Sequence, residues 1–284
     1  MALELLKPTI WSEQLLRRLN DILVFRNVCT TEFEREIAGF GDVIKINEIG
    51  TITVNDYSST STSALTIQTL KDAQKLLEIN RAKYTAFWVD RQDYAQIKPK
   101  VLDAAREQAA WSLANEIDEY VASLYGQAGI AVSGTSAVGV DVTSTNVLKY
   151  VALTAQKHDE MNTPNVGRWM VVPPWFAHKL TMSKIVLDTN NSGVLSTGKL
   201  GSYYGIDIYV SNNVPHLSST DRACIMSGYK GSIALATQVL YTGQADTIEV
   251  GFKTLVKSLC VYGAKVLRPN NLGILYADYT AEAS

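Results

Sequence analysis

A lysine closing a glycine-bounded octet is the first residue in this chain whose setting suggests chemistry. Gly193-Val194-Leu195-Ser196-Thr197-Gly198-Lys199-Leu200 has the glycine and lysine spacing of a phosphate-binding loop. A working loop needs Ser or Thr after the lysine to hold magnesium, and a helix whose N-terminus faces the phosphates. Position 200 is Leu, and Gly201-Ser202-Tyr203-Tyr204-Gly205 runs on into an extended segment. Nucleotide binding is rejected on both counts. The histidines His158, His178 and His216 stand isolated, at no metal-ligand spacing and beside no general-base motif. Asp118-Glu119 and Asp159-Glu160 are adjacent carboxylates, but helix neighbours point in different directions. They read as solvated faces rather than acid/base pairs. Gly134-Thr135-Ser136 and the serine-rich stretch 58–63 lack the strand-turn-helix setting of an activated nucleophile. The Asn190-Asn191-Ser192 sequon carries no meaning without secretion. No catalytic constellation, cofactor site or metal site emerges.

Composition agrees with that blankness. The chain has 284 residues, 46% hydrophobic and 19% charged, with 26 basic and 28 acidic side chains. A chain of this length buries roughly 75% of its unfolded surface and needs no disulfide or metal to fold. The hydrophobic share excludes intrinsic disorder, and the net charge of −2 argues against binding nucleic acid through bulk charge. No apolar run approaches the roughly 20 residues of a membrane span, and Met1-Ala2-Leu3-Glu4 opens no secretory signal. Cys29, Cys224 and Cys260 are far apart and odd in number, which predicts reduced thiols in a cytosolic setting.

The elements follow from periodicity. Trp11, Leu15, Leu16 and Leu19 recur at helical spacing, with Ser12 available as a cap. After the breaker Gly39-Phe40-Gly41-Asp42, Val43 to Ile46 and Ile49 to Val54 have the β-branched content of strands. Residues 55–66 have almost no hydrophobic anchors and read as the tip of a long excursion that returns, extended, through Leu76 to Val89. A long helix follows, with Asp90 as cap, Pro99 near its start and a stripe of Val101, Ala105, Ala109, Leu113, Ile117, Tyr120, Val121 and Leu124. It stops at Gly126 and Gly129, and residues 99–125 would span about 40 Å. Residues 126–143 read as loop, then come a helix from Thr145 to Met161 capped by Thr143, Ser144 or Thr145, a buried strand from Trp169 to Val172, and a helix from Trp175 to Lys184. Residues 188–202 read as loop. Strands are expected at Ile206–Val210, Ala223–Met226, Ile248–Val250, Ser258–Val266 and Gly273–Tyr276. There is no internal repeat, and the class is α+β.

Taken in order, these pieces resemble the coat proteins of tailed bacteriophages, the Hong Kong 97-type capsid fold that encapsulins share. Ile10-Trp11-Ser12, Asn27-Val28, Gly41-Asp42-Val43-Ile44-Lys45-Ile46 and Ile52-Thr53-Val54-Asn55-Asp56-Tyr57 are similar to the arm and the start of the extended loop. Phe87-Trp88-Val89-Asp90 and Leu113-Ala114-Asn115-Glu116-Ile117-Asp118 resemble the entry to and the middle of the spine helix. Gly198-Lys199-Leu200-Gly201 with Tyr204 through Ser211 resembles the axial-domain loop and strand, and Val261 through Pro269 the strand returning to the peripheral domain.

The resemblance implies an N-terminal arm over 1–41, an extended β-hairpin loop and the start of a peripheral domain over 42–89, and a spine helix within 90–127. It implies an axial domain over 128–250 and return strands over 251–284. Trp11, Asp56, Tyr57, Ser59, Thr62 and Leu65 are then the expected subunit-interface residues. The implied function is structural rather than enzymatic: a major capsid protein that assembles with itself as hexamers and pentamers into an icosahedral shell around phage DNA. Such a chain contacts double-stranded DNA non-specifically, touches no membrane and needs no cofactor. The resemblance further implies a portal, and either a separate scaffolding protein or a stabilising decoration protein, since no insertion domain or leading extension is visible. Assembly would take place in the host cytoplasm. An encapsulin-type compartment shell around a cargo enzyme is the alternative.

Overall fold

The structure is a computed structural model of the chain and describes residues 23–36, 41, 43–49, 72–90, 99–183, 199–217, 222–245 and 253–281. Its longest helix is α2 (Pro99–Ala122), after an N-terminal single-turn helix α1 (Val24–Val28). Proline at the first position of α2 is tolerated because that N–H has no helical partner in any case. Leu113, Ile117 and Val121 of the expected stripe are buried, and Ala109 and Tyr120 half-buried. The helix tightens into a 3-10 turn over Ser123–Gln127, which carries Leu124 into the core and releases the chain at Ala128. Asp90 is the last residue of a strand, so the chain is still extended where a cap was expected.

Helix α2 lies against a three-stranded antiparallel sheet of β3 (Arg81–Asp90), β12 (Lys253–Val266) and β11 (Ile233–Ala245), with β12 in the middle. Strand residues alternate between faces, so Tyr262 and its cross-strand partner Arg81 point the same way. Both meet Tyr120 of α2: the Tyr120 and Tyr262 rings pack edge to face at 5.5 Å, and the Arg81 guanidinium lies 5.1 Å from the Tyr120 ring centre. Lys83 pairs with Glu116 on the same side at 2.6 Å. The opposite face is covered at one end by the hairpin of β1 (Val43–Ile49) and β2 (Asp72–Glu78). Ile44, Leu77 and Ile79 bury there against Ala234, Ala236 and Val261. The approach is close: a Cβ on Gly263 would sit 2.2 Å from the Glu78 carbonyl oxygen, so only glycine fits.

The second body is a mixed eight-stranded sheet in the order β4 (Ile130–Ser133), β13 (Leu272–Tyr279), β10 (Arg222–Tyr229), β6 (Arg168–Val172), β8 (Ile206–Val210), β7 (Lys199–Tyr203). Short β5 (Val140–Val142) joins β13, and β9 (His216–Leu217) joins β10. All five residues of β6 are buried, as expected of a strand covered on both faces. Helices α3 (Val147–Glu160) and α4 (Pro174–Met182) pack with this sheet. Pro173 ends β6 and Pro174 opens α4, one dipeptide serving as stop and start. The buried Lys179 of α4 donates to the carbonyls of Val142 and Thr280, tying α4 to the ends of β5 and β13. Arg222 grips Asp278 through two nitrogens at 2.8 and 3.0 Å, locking β10 to β13.

Several expectations are corrected. The stretch 126–143 is not plain loop but holds β4 and β5, and Lys199–Tyr203, at the end of the expected 188–202 loop, is a strand. Helix α3 begins at Val147, two residues later than predicted. Asn146 rather than a hydroxyl residue holds the preceding turn, accepting the Thr143 N–H at 2.7 Å and donating to the Asp141 carbonyl at 2.9 Å. Strand β11 lies where the sequence suggested no element. The expected helix around Trp11 and the segments 51–66 and 248–250 lie outside the described residues.

The N-terminal segment is bound to both α2 and β11. Leu23, Phe25, Val28 and Cys29 are buried in the main core. Thr30 donates its N–H to the Ile233 carbonyl at 2.9 Å and accepts from Leu235 N–H at 3.0 Å. Arg26 forks onto Glu34 at 2.6 and 3.0 Å while both touch the Thr237 hydroxyl. Leu23, at the N-cap of α1, has no side-chain acceptor; the buried Asp118 carboxylate of α2 accepts the Val24 and Phe25 N–H groups instead, at 3.0 and 3.2 Å. Burial pushes the Asp118 carboxyl up to about 7, and the two backbone bonds oppose that only in part.

Asp118 and His158 load the subunit with opposite pH dependences. His158 is buried, with Nε2 3.0 Å from the Ser227 hydroxyl, and burial followed by the Arg168 charge lowers it to about 4. It therefore takes stability away as pH falls from the ordinary histidine range towards 4. Asp118 does the reverse: the unfolded chain ionises near pH 4, the folded one near 7, so its contribution is full at low pH and is lost as pH rises through 7. Asp118→Asn keeps one acceptor and cannot ionise. Urea unfolding of the free subunit is expected to show the variant about 1 kcal/mol less stable than wild type at pH 4. The difference should then move in favour of the variant by ~2–4 kcal/mol by pH 8. Parallel pH profiles for the two proteins would contradict this.

Candidate assembly surfaces

The chemical candidates are dispersed. Among the described residues no group of three His, Cys, Asp or Glu side chains could hold a metal, and no helix is long and apolar enough to cross a membrane. His158 is enclosed, while His178 on α4 and His216 on β9 are exposed. Cys29, Cys224 and Cys260 are buried free thiols. Burial raises all three, Cys224 to about 11 and Cys260 to about 12, so none is poised as a nucleophile. Lys199 opens an edge strand where a phosphate loop would need a helix, which agrees with its rejection. Asp159 and Glu160 are solvated as expected, paired with Arg168 and Lys157 at 2.7 Å each. Asp118 is not: it faces inward as the acceptor for α1, and only Glu119 is exposed.

The three-stranded sheet offers the candidate surface, because the described strands leave one of its edges unpaired. The edge of β11 is covered by the backbone bridge at Thr30 and the 3-10 turn Glu32–Glu36. At the other edge, β3 pairs only with β12 among the described strands, leaving one side of a ten-residue strand open. Its residues Ala82, Tyr84, Ala86 and Trp88 share the face that the β1–β2 hairpin covers at one end. Tyr84 is 76% exposed and Trp88 55%, beside half-buried Leu259 and Leu255 of β12. Large aromatics at such exposure, next to a strand edge unpaired among the described strands, make this face a candidate interaction surface. On α2, packed on the opposite face, Trp111 is 49% exposed.

None of the six interface residues expected from sequence can be placed here. Trp11, Asp56, Tyr57, Ser59, Thr62 and Leu65 all lie outside the described residues. Tyr84 and Trp88 were missed because an alternating strand does not say which face its own molecule covers. Their signal was present in Tyr84-Thr85-Ala86-Phe87-Trp88, where aromatics fall on both faces of one strand.

The family model described as phage capsid protein matches residues 78–272, from the end of β2 into β13. A structure from Mycobacterium phage Che8 superposes with a TM-score of 0.69 at 25% identity, covering 89% of this chain and 90% of that one. The capsid structure of cyanophage P-SCSP1u gives a TM-score of 0.68 at 18% identity over 91% of this chain and 89% of that one. A virus-like particle from Pyrococcus furiosus shares the fold at a TM-score of 0.55 and 11% identity, covering 94% and 98%. No curated protein matches the chain. The encapsulin alternative is not favoured, because the matching family is that of phage capsids. With the α+β tailed-phage capsid fold in place and a family match over well more than half its length, the chain belongs to the phage capsid protein family, as a structural major capsid protein.

Proposed function

We propose that copies of this chain assemble as hexamers and pentamers into an icosahedral shell that encloses double-stranded phage DNA. The observation that carries this reading is the fold match to the Che8 structure along nearly the whole of both chains. A shell subunit must present surfaces that are incomplete alone, and the β3 edge, unpaired among the described strands and flanked by the exposed Tyr84, supports this reading. Small contacts repeated by symmetry become strong together. The work is mechanical, and the chain performs no chemistry of its own. The three-stranded sheet with α2 corresponds to the peripheral domain in this reading, and the eight-stranded sheet to the axial domain.

The arm and the extended loop supply further contacts. Residues 55–66 are polar and lack anchors of their own, so Asp56, Tyr57, Ser59, Thr62 and Leu65 are proposed to order against a neighbouring copy, with Trp11 on the arm doing likewise. With a net charge of −2, contact with DNA is weak and non-specific. Assembly proceeds in the host cytoplasm, at a portal and with a scaffolding or decoration protein.

Electron microscopy of the purified, concentrated protein, with scaffold supplied where required, is expected to show shells, capsomers or tubes; persistent monomers with all partners present would sink the proposal. Deleting 56–66 should leave the circular dichroism spectrum of the subunit intact while abolishing particles. Loss of the folded spectrum would show instead that the segment serves its own chain. Tyr84→Lys should shift the subunit Tm by no more than ~2 °C, since the side chain is largely exposed, and reduce particle yield at least tenfold. Wild-type yield from that variant would remove the β3 face from the interface.

A further inference from the structure

The tip of the β7–β8 hairpin carries an aromatic residue in a backbone conformation that aromatic residues avoid. Tyr203 and Ile206 form the last cross-strand pair, leaving a two-residue turn of Tyr204 and Gly205. Both have left-handed φ, 49° and 73°. A hairpin turn with positive φ at both central positions is served best by Asn-Gly, since asparagine and glycine tolerate that region and bulky side chains do not. Gly205 fits the rule, and a Cβ there would meet nothing. Tyr204 breaks it. Local strain of this kind persists where the surroundings enforce it or where the side chain has work to do.

Among the described residues the one ring contact of Tyr204 is with its neighbour: Tyr204 is 66% exposed and its ring meets Tyr203 edge to face, at 4.8 Å and 81°. Tyr203 is half-buried against the main core, and Ser202 donates its hydroxyl to Asp207 across the hairpin base. The tip is thus held from below while the Tyr204 ring projects from it. Strand β7 is the last in the order of the eight-stranded sheet among the described strands, paired there with β8 alone. An aromatic ring with a polar hydroxyl, presented on a rigid support, is the side chain most often found as an interface anchor.

We infer that Tyr204 is an assembly contact, kept at a strained hairpin tip to insert against a second copy of this chain. The inference rests on the shell-forming function proposed above, which makes identical copies the abundant neighbours of any exposed feature. It adds a contact on the eight-stranded sheet, separate from the β3 face. The partner surface must be able to receive a flat ring and satisfy one hydroxyl.

Strain and function make opposite demands at this position, and the test uses that opposition. Tyr204→Asn places the preferred turn residue at the tip. The full-length variant is expected to fold with a Tm equal to or above wild type, yet to need at least a tenfold higher concentration to form particles, followed by light scattering and electron microscopy. Tyr204→Phe, which keeps the ring, should fall between the two. Particle formation by the asparagine variant at the wild-type concentration would overturn the inference while leaving the shell function standing. A fall in Tm on Tyr204→Asn would also overturn it, by showing that the ring serves its own fold. Normal shells that fail only to retain DNA would overturn it in favour of a DNA contact. If wild type itself forms no particles, the underlying function fails first and takes this inference with it.

Discussion

Strand β12 has a helix across one face and a hairpin across the other, and the remainder of the three-stranded body is arranged to satisfy it. Fourteen residues long and central in its sheet, it places Tyr262 and Cys260 under α2 and Val261 under the β1–β2 hairpin. Gly263 lets the hairpin approach until backbone meets backbone. Its two neighbours meet different fates. β11 is covered at the start of its outer edge, from Ile233 to Thr237, by the N-terminal segment, through the Thr30 bridge and the Arg26–Glu34–Thr237 cluster. β3 is sealed by nothing among the described residues and carries two exposed aromatic rings. A strand edge left unpaired among the described strands suits the addition of a further copy.

The inner contacts that fix this asymmetry are polar, and each is local in space but distant in sequence. Asp118 reaches back across 94 residues to hold the first N–H groups of α1, a task usually given to the residue just before a helix. Without that acceptor the buried start of α1 would leave two donors unpaired, at about 1–3 kcal/mol each. Lys179 and the Arg222–Asp278 fork do the same for the eight-stranded sheet, where strand ends from three parts of the chain meet. These contacts hold the frame from which the exposed features project.

Much of the frame was legible in the sequence, and the reasons for the rest are specific. Helix α2 announced itself by a stripe that recurs over many turns, and β6 by an unbroken apolar run ending in two prolines. β4 and β5 are four and three residues long inside a Gly/Ser-rich stretch, too short to show a period. β11 was hidden by its composition: Ala234, Ala236, Gln238, Gly243, Gln244 and Ala245 interrupt the β-branched and aromatic residues that mark a strand, and packing rather than propensity decides its state. The role of Asp118 could not be read beside Glu119, because its partners are known only once α1 and α2 are brought together. The same holds for Tyr84 and Trp88, whose exposure is known only once the sheet and its β1–β2 hairpin are in place.

If copies complete each other at the open strand, its backbone must change state on assembly while the sealed edge does not. Hydrogen–deuterium exchange compared between free subunits and purified particles measures this directly. The alternate amides of Arg81–Asp90 that do not bond to β12 should exchange readily in the subunit and become at least tenfold slower in the particle, while Thr30 and Ile233–Leu235 stay equally protected in both. Equal exchange of the β3 amides before and after assembly would contradict the account.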